Sequence, residues 1–173
     1  ETVEQEGAAA SEHVTTRSTM AYADGYGNVT TTANLGVVAV GGGACEACAR
    51  GAASFGAPCG NQCLGDERFV ERTFVSNART SGRWIINKPA TEQTFGVDGG
   101  SEQFARTDYF YDGEAFVGLP SGELTQGNLT RTEVRGDDSK TIQRLRQRFD
   151  VHGNVVETLD PLGTIGGPTH RRQ

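Results

Sequence analysis

The sequence predicts an all-β chain built from antiparallel hairpins, on three observations. Short runs rich in Thr and Val, each bounded by Gly, Asn, Asp or Pro, recur along much of the 173 residues. Gly accounts for 24 of them, about twice the usual share of about 7%. A Gly-Asn turn followed by a Thr/Val strand appears three times.

The elements follow in chain order. Residues 1–13 are acidic and Ala-rich, with little to bury, and read as a lead-in. Val14 to Tyr22 alternates like a strand, and a turn at Asp24–Asn28 leads into a Thr-rich run. Residues 36–66 are Gly/Ala-rich, hold all four Cys and contain almost no strand former after Val40, so they read as an insertion between two strands. Further strands are expected at Arg68–Val75, Arg83–Lys88, Thr91–Val97, Phe104–Asp112, Leu129–Arg135, Ile142–Asp150 and Val155–Leu159. Residues 14–163 thus form the β region, and 164–173 a tail. A helix competes at Thr141–Arg148, where Gln, Arg and Leu are good helix formers. The turn signal that follows at once favours the strand. Period-2 alternation then puts Arg144, Arg146 and Arg148 on one face, solvated or paired with acids across strands.

The three turns share a physical logic. They are Asp24 to Asn28 with Gly27, Gly127-Asn128, and Asp150 to Asn154 with Gly153. Gly supplies a positive φ, and Asn tolerates the left-handed region or bonds nearby backbone. The Asp that ends the incoming strand can cap turn amides, and the aromatic before it can pack across the hairpin. Asp160-Pro161-Leu162-Gly163 then stops the last strand.

Tyr/Phe-Asp-x-x-Gly-Asn, followed by Asp-Pro-x-Gly, resembles the YD repeat of Rhs proteins, teneurins and the B components of bacterial Tc toxin complexes. Arg106 to Gly113, then Gly127 to Arg131, then Arg148 to Gly163, is similar to the array in SpvB/TcdB-like toxin proteins. The first copy carries Ala23 where the motif has an aromatic. The resemblance implies successive hairpins of a YD-repeat sheet, part of a larger spiralling shell. It implies a non-enzymatic role, encapsulating or scaffolding a toxic cargo in a secreted or cell-surface bacterial protein. The partners implied are neighbouring repeats of the same parent chain and an enclosed toxin segment. A β-rich extracellular binding or adhesion module, for carbohydrate or a protein, is the alternative.

Composition restricts other functions. Val, Ile, Leu and Phe make up 34 residues, about 20%, near the lower limit for an independent core. The net charge of −6 argues against nucleic acid as a partner. No apolar run reaches the ~20 residues of a spanning helix. The chain starts at Glu1 without a signal sequence, so it reads as a fragment or processed segment. No nucleophile elbow, HExxH or paired acids are present, and His13, His152 and His170 are scattered. No enzyme activity and no cofactor are therefore expected. Cys45, Cys48, Cys59 and Cys63 have the spacing C-x2-C-x10-C-x3-C. They could form two disulfides or hold one zinc ion as thiolates, and the redox compartment decides between these. Tyr109, Tyr111 and Phe116 form an aromatic cluster that suggests sugar binding if exposed and hairpin packing if not.

Overall fold

Thr-, Val- and aromatic-rich runs cut by Gly turns produce a single sheet. A computed structural model of the chain describes residues 15–38, 68–75, 84–95, 103–136, 140–161 and 171–172. Among these the protein is all-β. The strands are β1 (Thr15–Ala21), β2 (Thr31–Val38), β3 (Arg68–Val75), β4 (Lys88–Phe95), β5 (Gln103–Tyr111), β6 (Leu129–Gly136), β7 (Thr141–Phe149), β8 (Val155–Leu159) and β9 (Arg171–Arg172). They pair antiparallel in sequence order, each with its chain neighbours. The Asp24–Asn28 turn, the segment before β4, the β5–β6 connection and the Asp150–Asn154 turn consequently lie along one rim of the sheet.

Most expected strands form within a residue or two of their sequence limits. Two readings are corrected. Residues 84–87, at the heart of the strand expected over Arg83–Lys88, are not a strand. The Ile86 carbonyl accepts instead from Asn28 Nδ2 at 2.6 Å, so this backbone is spent on the first turn. The following strand begins at Lys88, ahead of the expected Thr91. It includes Pro89, which lacks an N–H and is tolerated inside a sheet only beside an irregularity. One is present: Thr73 pairs with Thr91 and Phe74 with Pro89, so Ala90 is bulged out of register. β2 runs on to Val38, so the first residues assigned to the insertion belong to a strand. The remainder of that insertion, with the four cysteines, lies outside the described residues, as do the lead-in, His13 and His170. At Thr141–Phe149 the strand prevails over the helix.

The core sits where β3, β4, β5 and the β5–β6 connection meet. Val75, Ala90, Tyr111 and Leu124 are buried together, with Ile85, Tyr109 and Leu129 packed against them. The Tyr111 hydroxyl donates to the Pro89 carbonyl at 2.7 Å, using an acceptor beside the bulge. Burial raises the pKa of that hydroxyl, so it stays a donor at neutral pH. Phe116 is also buried, in the β5–β6 connection. The aromatic cluster of Tyr109, Tyr111 and Phe116 is therefore packing, not an open sugar platform.

The connection is tightly folded. Gly118 has φ +83°, and a Cβ placed there would stand 2.8 Å from the Phe110 Cβ and 3.3 Å from its carbonyl carbon. Gly122, at φ +91°, has open space around it. We expect Gly122→Ala to cost about 1 kcal/mol, the left-handed penalty alone. Gly118→Ala should cost about 2 kcal/mol, because the contact adds to that penalty. Urea unfolding of both variants checks the difference, and equal losses would contradict the close approach.

Candidate functional site

The features that set this chain apart are its three carboxylate-capped turns. In the first, Asp24 Oδ1 accepts from the N–H groups of Tyr26 at 2.9 Å and Asn28 at 3.2 Å. Asn28 Nδ2 donates to Asp24 Oδ2 as well. In the last, Asp150 Oδ1 accepts from the N–H groups of His152 and Asn154, both at 2.9 Å, and Asn154 Nδ2 donates to Asp150 Oδ2 at 3.0 Å. Gly27 and Gly153 hold φ of +84° and +87°. The two five-residue turns are thus built alike, and His152 serves as a turn residue.

The middle copy is the same device stretched. Asp112 Oδ2 accepts from the N–H groups of Thr125, Gln126 and Gly127 at 2.7, 2.8 and 2.9 Å. Its Oδ1 accepts from Asn128 N–H at 2.9 Å. Gly127 has φ +86°. The Asp112 N–H donates to the Asn128 carbonyl at 2.8 Å, as Asp150 N–H does to the Asn154 carbonyl at 2.9 Å. Asp112 is therefore the partner of Gly127-Asn128 across residues 113–126. The paired register is likewise shared: Tyr111 faces Leu129, and Phe149 faces Val155. Asp160 and Pro161 follow β8 directly, whereas Gly163 lies outside the described residues.

The turns also touch along the rim. Asn28 reaches the Ile86 carbonyl. A Cβ on Gly127 would meet Lys88 Cε at 3.3 Å and Ile85 Cδ1 at 3.6 Å, and one on Gly153 would meet Asn128 Oδ1 at 3.4 Å. Phe116 N–H donates to the Gln147 carbonyl at 3.1 Å. Each connection is braced by the next. A polar cavity of about 210 Å³ lies between the last two turns, lined by Asp112, Gln126, Asn128, Arg148 and Asp150 among others. Its two carboxylates are engaged with turn donors. Among the described residues no three His, Cys, Asp or Glu side chains converge as a metal site.

No family model, curated protein or solved structure matches this chain.

The arginines lie over one face of β5 to β8. Arg106 and Arg135 both reach Asp108, at 2.8 and 3.3 Å. Arg131 pairs with Glu133 at 2.9 Å and sits 3.9 Å above the Phe110 ring. Arg148 pairs across strands with Glu157 at 3.1 Å. Arg144 is exposed, but Arg146 is buried and donates to the Asp160 carbonyl at 2.6 Å. Of the two expected arrangements, Arg144 is solvated and Arg148 is paired with an acid across strands, while Arg146 is buried. The Asp160 carbonyl is one partner of its guanidinium, and buried charge needs such partners. Other aromatics stay open to solvent: Trp84 is 69% exposed and its ring meets Tyr26 edge-on at 6.4 Å, and Tyr22, which precedes the first turn, is also exposed.

The capping carboxylates titrate below their ordinary value of 3.8. For Asp24 and Asp112, desolvation alone would raise the pKa, and the combined turn hydrogen bonds outweigh it. For Asp150 the Asn154 side-chain and backbone donors lower it. A depressed carboxyl stabilises the fold above its unfolded pKa, and that stability disappears as pH falls through the folded value. We expect the thermal midpoint to hold between about pH 7 and 5 and to fall between about pH 4 and 2. The fall should be shallower in Asp112→Asn. Scanning calorimetry across this range checks it, and a midpoint unchanged at acid pH would contradict it.

Proposed function

We propose that this chain is a structural, non-enzymatic segment of a YD-repeat shell that encapsulates or scaffolds the toxic cargo of a secreted or surface-delivered bacterial protein. The observation that carries this reading is the repetition of one capped turn along one rim of a sequential antiparallel sheet. A wall needs a unit that can be added without redesign. Asp112 with Gly127-Asn128 keeps the turn geometry even with residues 113–126 inserted. Neighbouring repeats and the enclosed segment would be the partners. Cryo-electron microscopy of the intact protein from its natural source tests the reading. A hollow β-walled shell with density inside is expected, and a compact body with no enclosed space would overturn it.

A β-rich extracellular binding module is the second reading, favoured by the exposed Tyr22, Tyr26 and Trp84 around the first turn. Aromatic faces in water are suited to stacking on sugar rings. Glycan-array binding that is lost in Trp84→Ala would support it over the shell.

A further inference from the structure

The middle turn differs from the other two in the use of its asparagine side chain. In the first and last turns the Asn28 and Asn154 amides donate to Oδ2 of their own Asp. In the middle turn Asp112 Oδ2 is filled by the Thr125, Gln126 and Gly127 N–H groups, which the long connection brings to it. Among the described residues the Asn128 side-chain amide has no hydrogen-bond partner. It lies beside Gly153, where a Cβ would meet its Oδ1 at 3.4 Å, and Asn128 lines the cavity between the last two turns. Gln126 and Gln147 line the same cavity, and their side-chain amides also lack a partner among the described residues. The two carboxylates there have capacity to spare. Asp112 Oδ1 accepts only from the Asn128 N–H, and Asp150 Oδ2 only from Asn154 Nδ2, whereas a carboxylate oxygen has sites for about two donors.

We propose that this cavity binds one neutral sugar ring through its vicinal hydroxyls. A hydroxyl both donates and accepts. It can donate to the open site on Asp112 or Asp150 and accept from the amide of Asn128, Gln126 or Gln147. Neighbouring hydroxyls on a ring can therefore use a carboxylate and an amide together, and the lining supplies both kinds of group. An anionic ligand fits poorly. Turn hydrogen bonds lower the pKa of both carboxylates, so both are charged at neutral pH. Arg148, the cation in the lining, is already paired with Glu157 at 3.1 Å. Phe149 adds an apolar wall suited to the C–H face of a ring. The volume of about 210 Å³ lies below the roughly 300–1,000 Å³ of cavities that take drug-sized ligands, which limits the occupant to a single ring. Trp84 and Tyr26 take no part in this lining, so the site is separate from the exposed aromatics of the first turn. It stands whether or not the shell reading holds.

Amide-resolved NMR of the whole chain, titrated with methyl glycosides of the common neutral hexoses at millimolar concentration, tests the proposal. At least one glycoside should shift the Asn128 side-chain amide signal saturably and leave the Trp84 indole signal in place. Asn128→Ala should weaken that binding about tenfold, the equivalent of one good hydrogen bond. It retains the backbone bonds to Asp112, and far-UV circular dichroism confirms the sheet. Gln126 is exposed, so Gln126→Ala provides a second weakening that does not depend on the fold. The uronate of the same sugar should bind less well, because its charge faces Asp112 and Asp150. Trp84→Ala should bind as the wild type does. No glycoside that shifts the Asn128 signal, full binding by Asn128→Ala, binding lost in Trp84→Ala, or a uronate bound as well as its neutral parent would each overturn it.

Discussion

Replacing Tyr111 with alanine should lower the unfolding free energy by about 4 kcal/mol, within the usual range for deleting a buried aromatic. Tyr111 is 3% exposed and packs with Val75, Ala90 and Leu124, the buried residues that join β3, β4 and the β5–β6 connection. Alanine removes the ring and leaves a void among side chains that the bulge at Ala90 holds in place. It also strands the Pro89 carbonyl, whose hydroxyl donor stands at 2.7 Å. Tyr111→Phe keeps the ring and loses only that bond, which should cost about 1 kcal/mol. Denaturant unfolding of the two variants separates packing from hydrogen bonding. Similar losses in both would mean that the bond, not the ring, dominates.

Asp112→Ala should cost about 3 kcal/mol. One carboxylate accepts from four backbone amides, and hydrogen bonds to charged groups contribute about 1.5–3 kcal/mol each when well shielded. Simple addition overshoots here, because the site is partly open and the Thr125 and Gln126 amides can turn to water. Asp112 also has φ +51°, a left-handed conformation that alanine adopts at a cost of about 1 kcal/mol. Asparagine tolerates that backbone and keeps one acceptor oxygen, so Asp112→Asn should lose about half as much. Hydrogen exchange at Gly127 and Asn128 gives an independent readout. Both amides should lose protection in Asp112→Ala, while those of the Asp150 turn keep theirs.

Local chemistry makes the turns legible without reference to the sheet. Gly27-Asn28 and Gly153-Asn154 carry their own capping Asp within five residues, and the strand limits at Arg68–Val75 and Val155–Leu159 coincide with the expected ones. The partner of Gly127-Asn128 was harder to read, because residues 113–126 separate it from Asp112 and no short window spans both. Trp84, Ile85 and Ile86 have strand-forming side chains, yet the Ile86 carbonyl serves a turn formed by residues far earlier in the chain. Pro89 hid the start of β4, since its acceptability depends on a bulge that exists only once β3 is alongside. Alternation correctly grouped Arg146 with Arg148. It does not show that Arg146 is buried while Arg144 and Arg148 stay exposed, because burial is a property of the assembled sheet.

Strictly sequential pairing has a thermodynamic meaning of its own. Every strand in the described sheet touches only its predecessor and its successor. The free energy is then close to a sum over adjoining pairs, as in a one-dimensional lattice of coupled units. Interior strands are held from two sides and terminal ones from one, so protection should grade from the outer hairpins toward β4, β5 and β6. Opening such a lattice proceeds by fraying, and closing it can begin at any local hairpin and spread. Length becomes a free variable: a hairpin can be gained or lost by the gene with only its two boundaries to satisfy.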